Sequence, residues 1–174
     1  TTWPAAKGSF AAPNDNHTLF TRLTYVQSPR LTYDFMGSSR FLRGEGNFGG
    51  RASQDAGISQ KYEIYTAQLR QRYISTSGNL VNEASLQLVN WNHNEAPLKP
   101  GPQFNYPGVQ FGTSGFPLIL KENHFRFVNR ATYNLEKAGS HIIKAGVELS
   151  TVGAQQNQPN NTNGTFTFAS DDPN

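Results

Sequence analysis

Apolar and polar side chains alternate with a period of two residues in six stretches of the chain, and helical periodicity is nearly absent. Successive side chains of a strand point to opposite faces of a sheet, so this alternation predicts strands rather than helices. The predicted strands cover residues 17–27, 31–37, 60–74, 80–92, 123–135 and 141–151. Gly164–Ala169 is a candidate for a seventh strand. The pattern therefore predicts an all-β fold.

The connections between the predicted strands are alternately short and long. Short turns are expected at 28–30, 75–78 and 137–140, and long loops at 38–58, 94–120 and 155–163, with residues 1–15 as a leading loop. An antiparallel sheet with every long loop at one end is typical of bacterial outer-membrane β-barrels, which have short periplasmic turns and long extracellular loops. We therefore predict an antiparallel transmembrane β-barrel segment of about six or seven strands, with residues 1–174 as one partial barrel domain.

Aromatic side chains recur at two heights on the predicted apolar face. Tyr65 and Tyr73 are eight residues apart, as are Phe125 and Tyr133. At about 3.3 Å per residue and a tilt of about 40°, this spacing rises roughly 20 Å, near the height of the apolar band that aromatic girdles flank. Tyr25 precedes a short turn, as Tyr73 and Tyr133 do. These residues are predicted to form aromatic girdles at the membrane interfaces.

The opposite face of the same strands is charged. In a soluble sheet this would be the solvated face, whereas in a wide barrel it would line a polar lumen. The lumen interpretation leaves two alternatives open: a polar wall that contacts a plug or solute, or a ladder of charges that pair only with one another, with Glu83 between two arginine pairs. The residues predicted on this face are Arg22, Asp34, Arg70, Arg72, Glu83, Arg126, Arg130, Lys144 and Glu148.

Composition excludes several classes of protein. The 174 residues include no Cys, so disulfides, thiolate metal sites and a cysteine nucleophile are absent. The net charge of +3 is too small to indicate nucleic-acid binding. No apolar run approaches the roughly 18 residues of a transmembrane helix, and we expect no signal peptide to begin at Thr1. Since single-chain bacterial barrels have about eight or more strands, we expect a piece of a larger barrel or one completed by other chains.

Sequence motifs give no catalytic constellation. Gly44–Gly49 matches a dinucleotide-binding pattern, but no helix is predicted after it, which favours a plain loop. His93 and Glu95, or Asp171 with Asp172, could hold a metal, although a polar strand end and a solvated loop are the simpler interpretations. We therefore predict that the chain is not an enzyme and has no metal or cofactor. Aromatic side chains near the long loops are expected mainly to pack on one another: Phe41, Phe48, Trp91, Phe104, Tyr106, Phe111 and Phe116.

Five segments resemble part of the barrel of a TonB-dependent outer-membrane transporter or receptor, of the Oar-like subgroup with an N-terminal carboxypeptidase-regulatory-like domain. They are Asn16–Tyr25, Leu80–Leu88, Asn105–Gly112, Gly139–Leu149 and Gly164–Phe168. The resemblance implies a location in the bacterial outer membrane and a barrel of about 22 strands around a plug. Neither the plug nor the TonB-contacting segment is visible in this sequence.

The partners that the resemblance implies are outer-membrane lipid, the rest of the barrel with its plug, TonB through the missing segment, and an unidentified solute. No nucleic-acid partner is expected. The polar composition and the loop aromatics leave one alternative open, a secreted soluble all-β module that binds carbohydrate.

Overall fold

The computed structural model describes residues 9–113, 115 and 117–171, and its fold is all-β. One sheet contains six antiparallel strands in the order β1-β2-β3-β4-β7-β8, so each strand pairs with the next one in this series. The strands are β1 (Asn14–Ser28), β2 (Leu31–Gly46), β3 (Ile58–Ile74), β4 (Leu80–Pro97), β7 (Leu118–Glu136) and β8 (Ser140–Asn157). We call this the main sheet. The described part of the chain contains no helix with the length and hydropathy that crossing a membrane requires.

A second, smaller sheet forms within the long loops. Its strands are β5 (Gln103–Asn105), β6 (Gln110–Gly112) and β9 (Thr165–Thr167), in the order β6-β5-β9. The candidate seventh strand, Gly164–Ala169, therefore contains β9 but does not join the main sheet. Instead, β9 runs parallel to β5, with Gln103 in register with Thr165. A short 3-10 helix covers Gln54–Ala56 in the first long loop.

All six strands predicted for the main sheet are present, and each extends beyond its predicted range. The predicted loop 38–58 is wrong over residues 38–46, because β2 stays in register with β3 until Gly46 meets Ile58. The predicted loops 94–120 and 155–163 are also too wide at their strand ends, and β1 begins inside the predicted leading loop. These strand ends are polar or glycine-containing and lose the alternation, but backbone pairing with a neighbour continues.

One face of the main sheet carries most of its apolar side chains. The ladder register places six apolar side chains in a single row across the six strands, namely Leu23, Phe35, Leu69, Leu86, Phe127 and Leu149. We call this side the apolar face and its opposite the polar face. The apolar face is uncovered: Leu23 is 67% exposed and Leu149 is 58% exposed. Burial within this chain therefore does not account for the alternation.

The buried core lies at the long-loop end of the main sheet. Among the described residues of the main sheet, Ile58 alone is buried, at 1% exposure. The other buried hydrophobic side chains are Ala56, Tyr106 and Val109. They belong to the segments 47–57, 98–113 and 158–171, which fold together and which we call the loop cap. The small sheet is part of this cap.

Candidate functional site

The apolar face becomes polar at its long-loop end. Tyr65 is in register with Asn90, which is in register with Asn123, and the two asparagine side chains hydrogen bond at 2.7 Å. One step further along β3, Glu63 forms an ion pair with Lys61 at 2.6 Å. On the short-turn side of this boundary lie the apolar rows, and on its long-loop side the same face carries amides and charges. The apolar surface is thus a band of limited height rather than a face that is apolar along the whole strand.

Tyrosines mark the short-turn end of this band. Tyr25 and Tyr33 are direct cross-strand partners, and their rings stack with centroids 6.4 Å apart. Tyr73 and Tyr133 precede the other two short turns, and the Tyr133 hydroxyl accepts a hydrogen bond from the Asn79 amide at 3.2 Å. Tyr33 was not among the predicted girdle residues, although its alternation with Leu31 and Phe35 places it on the apolar face.

From β2 to β7, the line of tyrosines crosses the main sheet obliquely, whereas Tyr25 and Tyr33 lie in one row. Tyr33 is in register, through β3 and β4, with Asn129, whereas Tyr133 lies four residues further along β7. Four residues at about 3.3 Å, across three strand spacings of about 4.8 Å, incline this line by roughly 42° to the hydrogen-bond direction. If the strands of a barrel tilt by about this angle from the membrane normal, a line inclined in this way to the hydrogen-bond direction runs parallel to the membrane plane.

The aromatic residues at the other end of the band follow the same slope. Tyr65 is in register with Asn123 through β4, and Phe125 lies two residues further along β7, in the same sense as before. Two residues across two strand spacings give an inclination of about 35°. On β2, Phe41 packs edge-to-face against Tyr65 with ring centroids 5.5 Å apart. Both ends of the band therefore slope together by an angle typical of barrel strands, about 35–45°.

A pair of asparagines accounts for the polar position that interrupts the apolar face on β7. The Asn82 amide donates to the Asn129 side-chain oxygen at 2.9 Å, and the reverse hydrogen bond measures 3.3 Å. Each amide thus satisfies the other within the band. An unpaired amide here would cost free energy in an apolar environment.

The polar face carries the nine charged residues predicted there, and most of them form cross-strand pairs. The ion pairs join Arg22 to Asp34 at 3.0 Å, Arg72 to Glu83 at 3.7 Å and Arg126 to Glu148 at 2.8 Å. Each pair links neighbouring strands, as expected for opposite charges on one sheet face. Arg70, Arg130 and Lys144 have no carboxylate within 4.0 Å among the described residues. The charge ladder is therefore only partly neutralised.

A cavity of about 470 Å³ opens on the polar face where these charges meet. Arg70, Arg72, Arg126 and Arg130 line it, together with the carboxylates of Asp34 and Glu83 and with Ser85. Lys144 lies on the edge strand β8 and does not line this cavity. The structure thus brings four of the predicted arginines together over the central strands β3, β4 and β7.

The loop cap holds its aromatic side chains in mutual stacks. Tyr106 stacks on Phe168 with centroids 4.2 Å apart and an interplanar angle of 6°, and it also stacks on Phe111 at 5.5 Å. Phe104 lies between Phe111 and Phe166, at 5.4 and 5.6 Å. The expectation that these loop aromatics pack on one another is confirmed for Phe104, Tyr106 and Phe111, whereas Phe116 lies outside the described residues.

Hydrogen bonds tie the three long loops of the cap to one another. The Arg51 guanidinium donates to the Tyr106 carbonyl oxygen at 2.7 Å, and the Gly108 amide donates to Asp171 at 2.7 Å. Gly112 has a φ of +89°, and a Cβ there would clash with the carbonyl oxygen of Pro102. Only glycine therefore fits at the end of β6, where the strand lies against the segment that leads into β5.

The histidine and glycine motifs do not assemble into a reactive centre. His93 and Glu95 are hydrogen bonded to each other at 3.0 Å, and Tyr62 stacks on the His93 ring at 3.9 Å. Within the described residues, no group of three or more metal-ligating side chains is present. Gly44 and Gly46 lie in β2, so the expected plain loop is wrong for the first half of the glycine motif, and only residues 47–49 lie in the loop that follows the strand. Asp172 lies outside the described residues.

Comparison with known proteins returns no relative from which a role could be transferred. No protein-family model matches the chain, and no curated protein matches its sequence. The features that bear on the class of this protein are the two-faced sheet, its aromatic lines and its loop cap.

Proposed function

We propose that this chain forms part of the barrel wall of a bacterial outer-membrane transporter or receptor of the TonB-dependent type, which binds a solute or moves it across that membrane. The observation that carries the proposal is the oblique course of the two aromatic lines across the sheet. An uncovered apolar band with sloping aromatic borders is what a lipid-facing barrel wall requires. The apolar face is then the lipid-facing surface, and the polar face lines the lumen.

The sheet edges support closure by further strands. The edge strands β1 and β8 are 15 and 18 residues long, and each pairs on one side only within the described chain. In hydrocarbon, every unpaired backbone amide or carbonyl costs several kcal/mol, so an open edge of this length is unstable there. We therefore expect strands beyond this segment, or other chains, to pair with both edges. The loop cap would lie on the extracellular side.

The narrower assignment to the TonB-dependent class is supported by the resemblance of five segments spread over most of the chain. The competing proposal is a secreted all-β module that binds carbohydrate through aromatic side chains. It is supported by Phe166 and Phe168 on the loop cap, which are 53% and 38% exposed.

Single-cysteine spin labelling on β3 separates these two proposals. The chain contains no Cys, so each introduced label reports one position. In outer-membrane vesicles, a nitroxide at Leu69→Cys should collide with oxygen, which concentrates in lipid. A nitroxide at the matched control, Gln68→Cys, should collide with a water-soluble nickel chelate instead.

A soluble module gives a different pattern. Its protein would be recovered in the aqueous fraction without detergent, and the Leu69→Cys label would show no preference for oxygen over the nickel chelate. Either result would contradict the proposed membrane function. Detergent-dependent extraction together with alternating accessibility would contradict the carbohydrate-binding module.

A further inference from the structure

The polar face carries more positive charge than its own carboxylates neutralise. The three rows of the polar face that contain Arg22, Arg70 and Arg72 present five arginines and three carboxylates, a surplus of two positive charges, and Lys144 adds a further one in the next row. Each carboxylate already has one arginine within 4.0 Å. Arg70 and Arg130 remain without such a partner among the described residues. A surface lined by an excess of one sign of charge attracts counter-ions of the other sign, so this surplus favours the binding of an anion.

The unpaired arginines converge on one place. Arg70 and Arg130 both line the 470 Å³ cavity, and the central strand β4 runs between them. Arg72 and Arg130 lie on opposite sides of Glu83 in one register row, so two strand spacings, about 10 Å, separate their backbones. Long flexible side chains at this spacing can direct their guanidinium groups toward a common point above Glu83 and Ser85.

A hydroxyl completes the donor set. Ser85 is the direct register partner of Arg70 and also lines the cavity. Its hydroxyl has no hydrogen-bond partner among the described residues. Arg70 and Arg130 therefore line the cavity from the two strands that flank β4, and the Ser85 hydroxyl lines it from β4 itself.

We propose that this cavity binds the phosphate group of a small solute, with Arg70 and Arg130 as its main ligands, Ser85 as a hydrogen-bond donor and Arg72 as an additional cation. A phosphate group has three outward oxygens that accept strong hydrogen bonds and a charge near −2, which matches donors on several sides and a surplus of two positive charges. The planar guanidinium also matches phosphate geometry bidentately. The inference goes beyond the proposed transport function and depends on the polar face alone.

Isothermal titration of inorganic pyrophosphate into the folded protein in detergent tests the site. We expect saturable binding that weakens as the sodium chloride concentration rises, because exposed charges are screened. The variants Arg70→Gln and Arg130→Gln should each weaken binding by about tenfold to a hundredfold, the usual effect of losing a hydrogen bond to a charged group.

Two further variants make the test independent of folding defects. Arg40→Gln is the matched control, because Arg40 is on the polar face, bonds to Asn16 at 3.1 Å and does not line the cavity. It should leave pyrophosphate affinity unchanged. Glu83→Gln removes the carboxylate beside Arg72 and should tighten binding by about tenfold, a gain that a damaged fold does not produce.

Three results would overturn the site. They are the absence of saturable pyrophosphate binding, a loss of affinity in Arg40→Gln as large as that in Arg70→Gln, and a Glu83→Gln protein that binds no more tightly than the parent. Since the titration is done in detergent, its outcome does not depend on which face of the sheet meets lipid in the membrane.

Discussion

Replacing Leu69 by arginine probes the lipid-facing band at its centre. Leu69 is four residues from Tyr65 and four residues from Tyr73, so it lies midway between the aromatic borders of β3. Four residues cover about 13 Å of strand and rise about 10 Å at a tilt of about 40°. Its side chain is 44% exposed on the uncovered apolar face. In a bilayer, the new guanidinium would therefore lie close to the hydrocarbon midplane.

The expected cost is large and depends on depth. An arginine on the lipid face of a barrel destabilises it by about 2–4 kcal/mol at the midplane and by about 0–1 kcal/mol near an interface. Leu69→Arg should therefore lower the free energy of unfolding by about 2–4 kcal/mol, and the charge introduced by Tyr65→Arg should cost much less. Gln68→Arg is the matched control, because it places the same side chain one residue away on the polar face. It should change stability by less than about 0.5 kcal/mol.

The assay is equilibrium unfolding by guanidinium chloride of the protein in phospholipid vesicles, followed by tryptophan fluorescence. The reasoning would be refuted if Leu69→Arg were no more destabilising than Gln68→Arg. It would also be refuted if Tyr65→Arg were as costly as Leu69→Arg, because a protein core has no depth profile of this kind.

Three other perturbations test local parts of the structure. Asn129→Ala leaves the Asn82 side-chain oxygen without its donor in the apolar band, while the Asn82 amide nitrogen keeps its hydrogen bond to the Arg130 carbonyl at 3.2 Å. It should cost about 1–3 kcal/mol, and a double-mutant cycle with Asn82→Ala in denaturant unfolding should recover part of it. Tyr106→Ala removes a buried stacked ring, at a cost of about 3 kcal/mol to the loop cap, and limited trypsin digestion should then cleave the loops while the strands stay protected. Breaking the half-exposed Arg126–Glu148 pair with Arg126→Gln should lower the thermal unfolding temperature only slightly, and less in high salt, because exposed ion pairs contribute little to stability; a large loss would mean that the pair is shielded from water.

The sequence predicted the strands well where one face of a strand is apolar and the other is polar. Six stretches of alternation gave six strands of the main sheet, because a side-chain period of two is a local property of an extended chain. It failed at residues 38–46, where glycines and polar residues hide the strand and only pairing with β3 extends it. It also failed for β9, because a three-residue strand parallel to β5 is specified by loops that are distant in sequence.

The candidate sites divide in a similar way. The charged residues of the polar face could be predicted one by one, because odd and even positions of a strand point to opposite faces. The same holds for most of the girdle tyrosines. Which arginine meets which carboxylate could not be predicted, because it depends on a register that a shift of one residue would change entirely. The pairing of Asn82 with Asn129 likewise appears only when β4 and β7 are placed side by side.

By itself, then, the sequence determined an all-β chain with one apolar and one charged face, joined by alternating short and long connections. Those features follow from local periodicity and turn chemistry. Tertiary structure decided the inclination of the aromatic lines, the two arginines left without carboxylates and the folding of three loops into one cap. These depend on how distant strands align, which is a relation between segments that no single segment specifies.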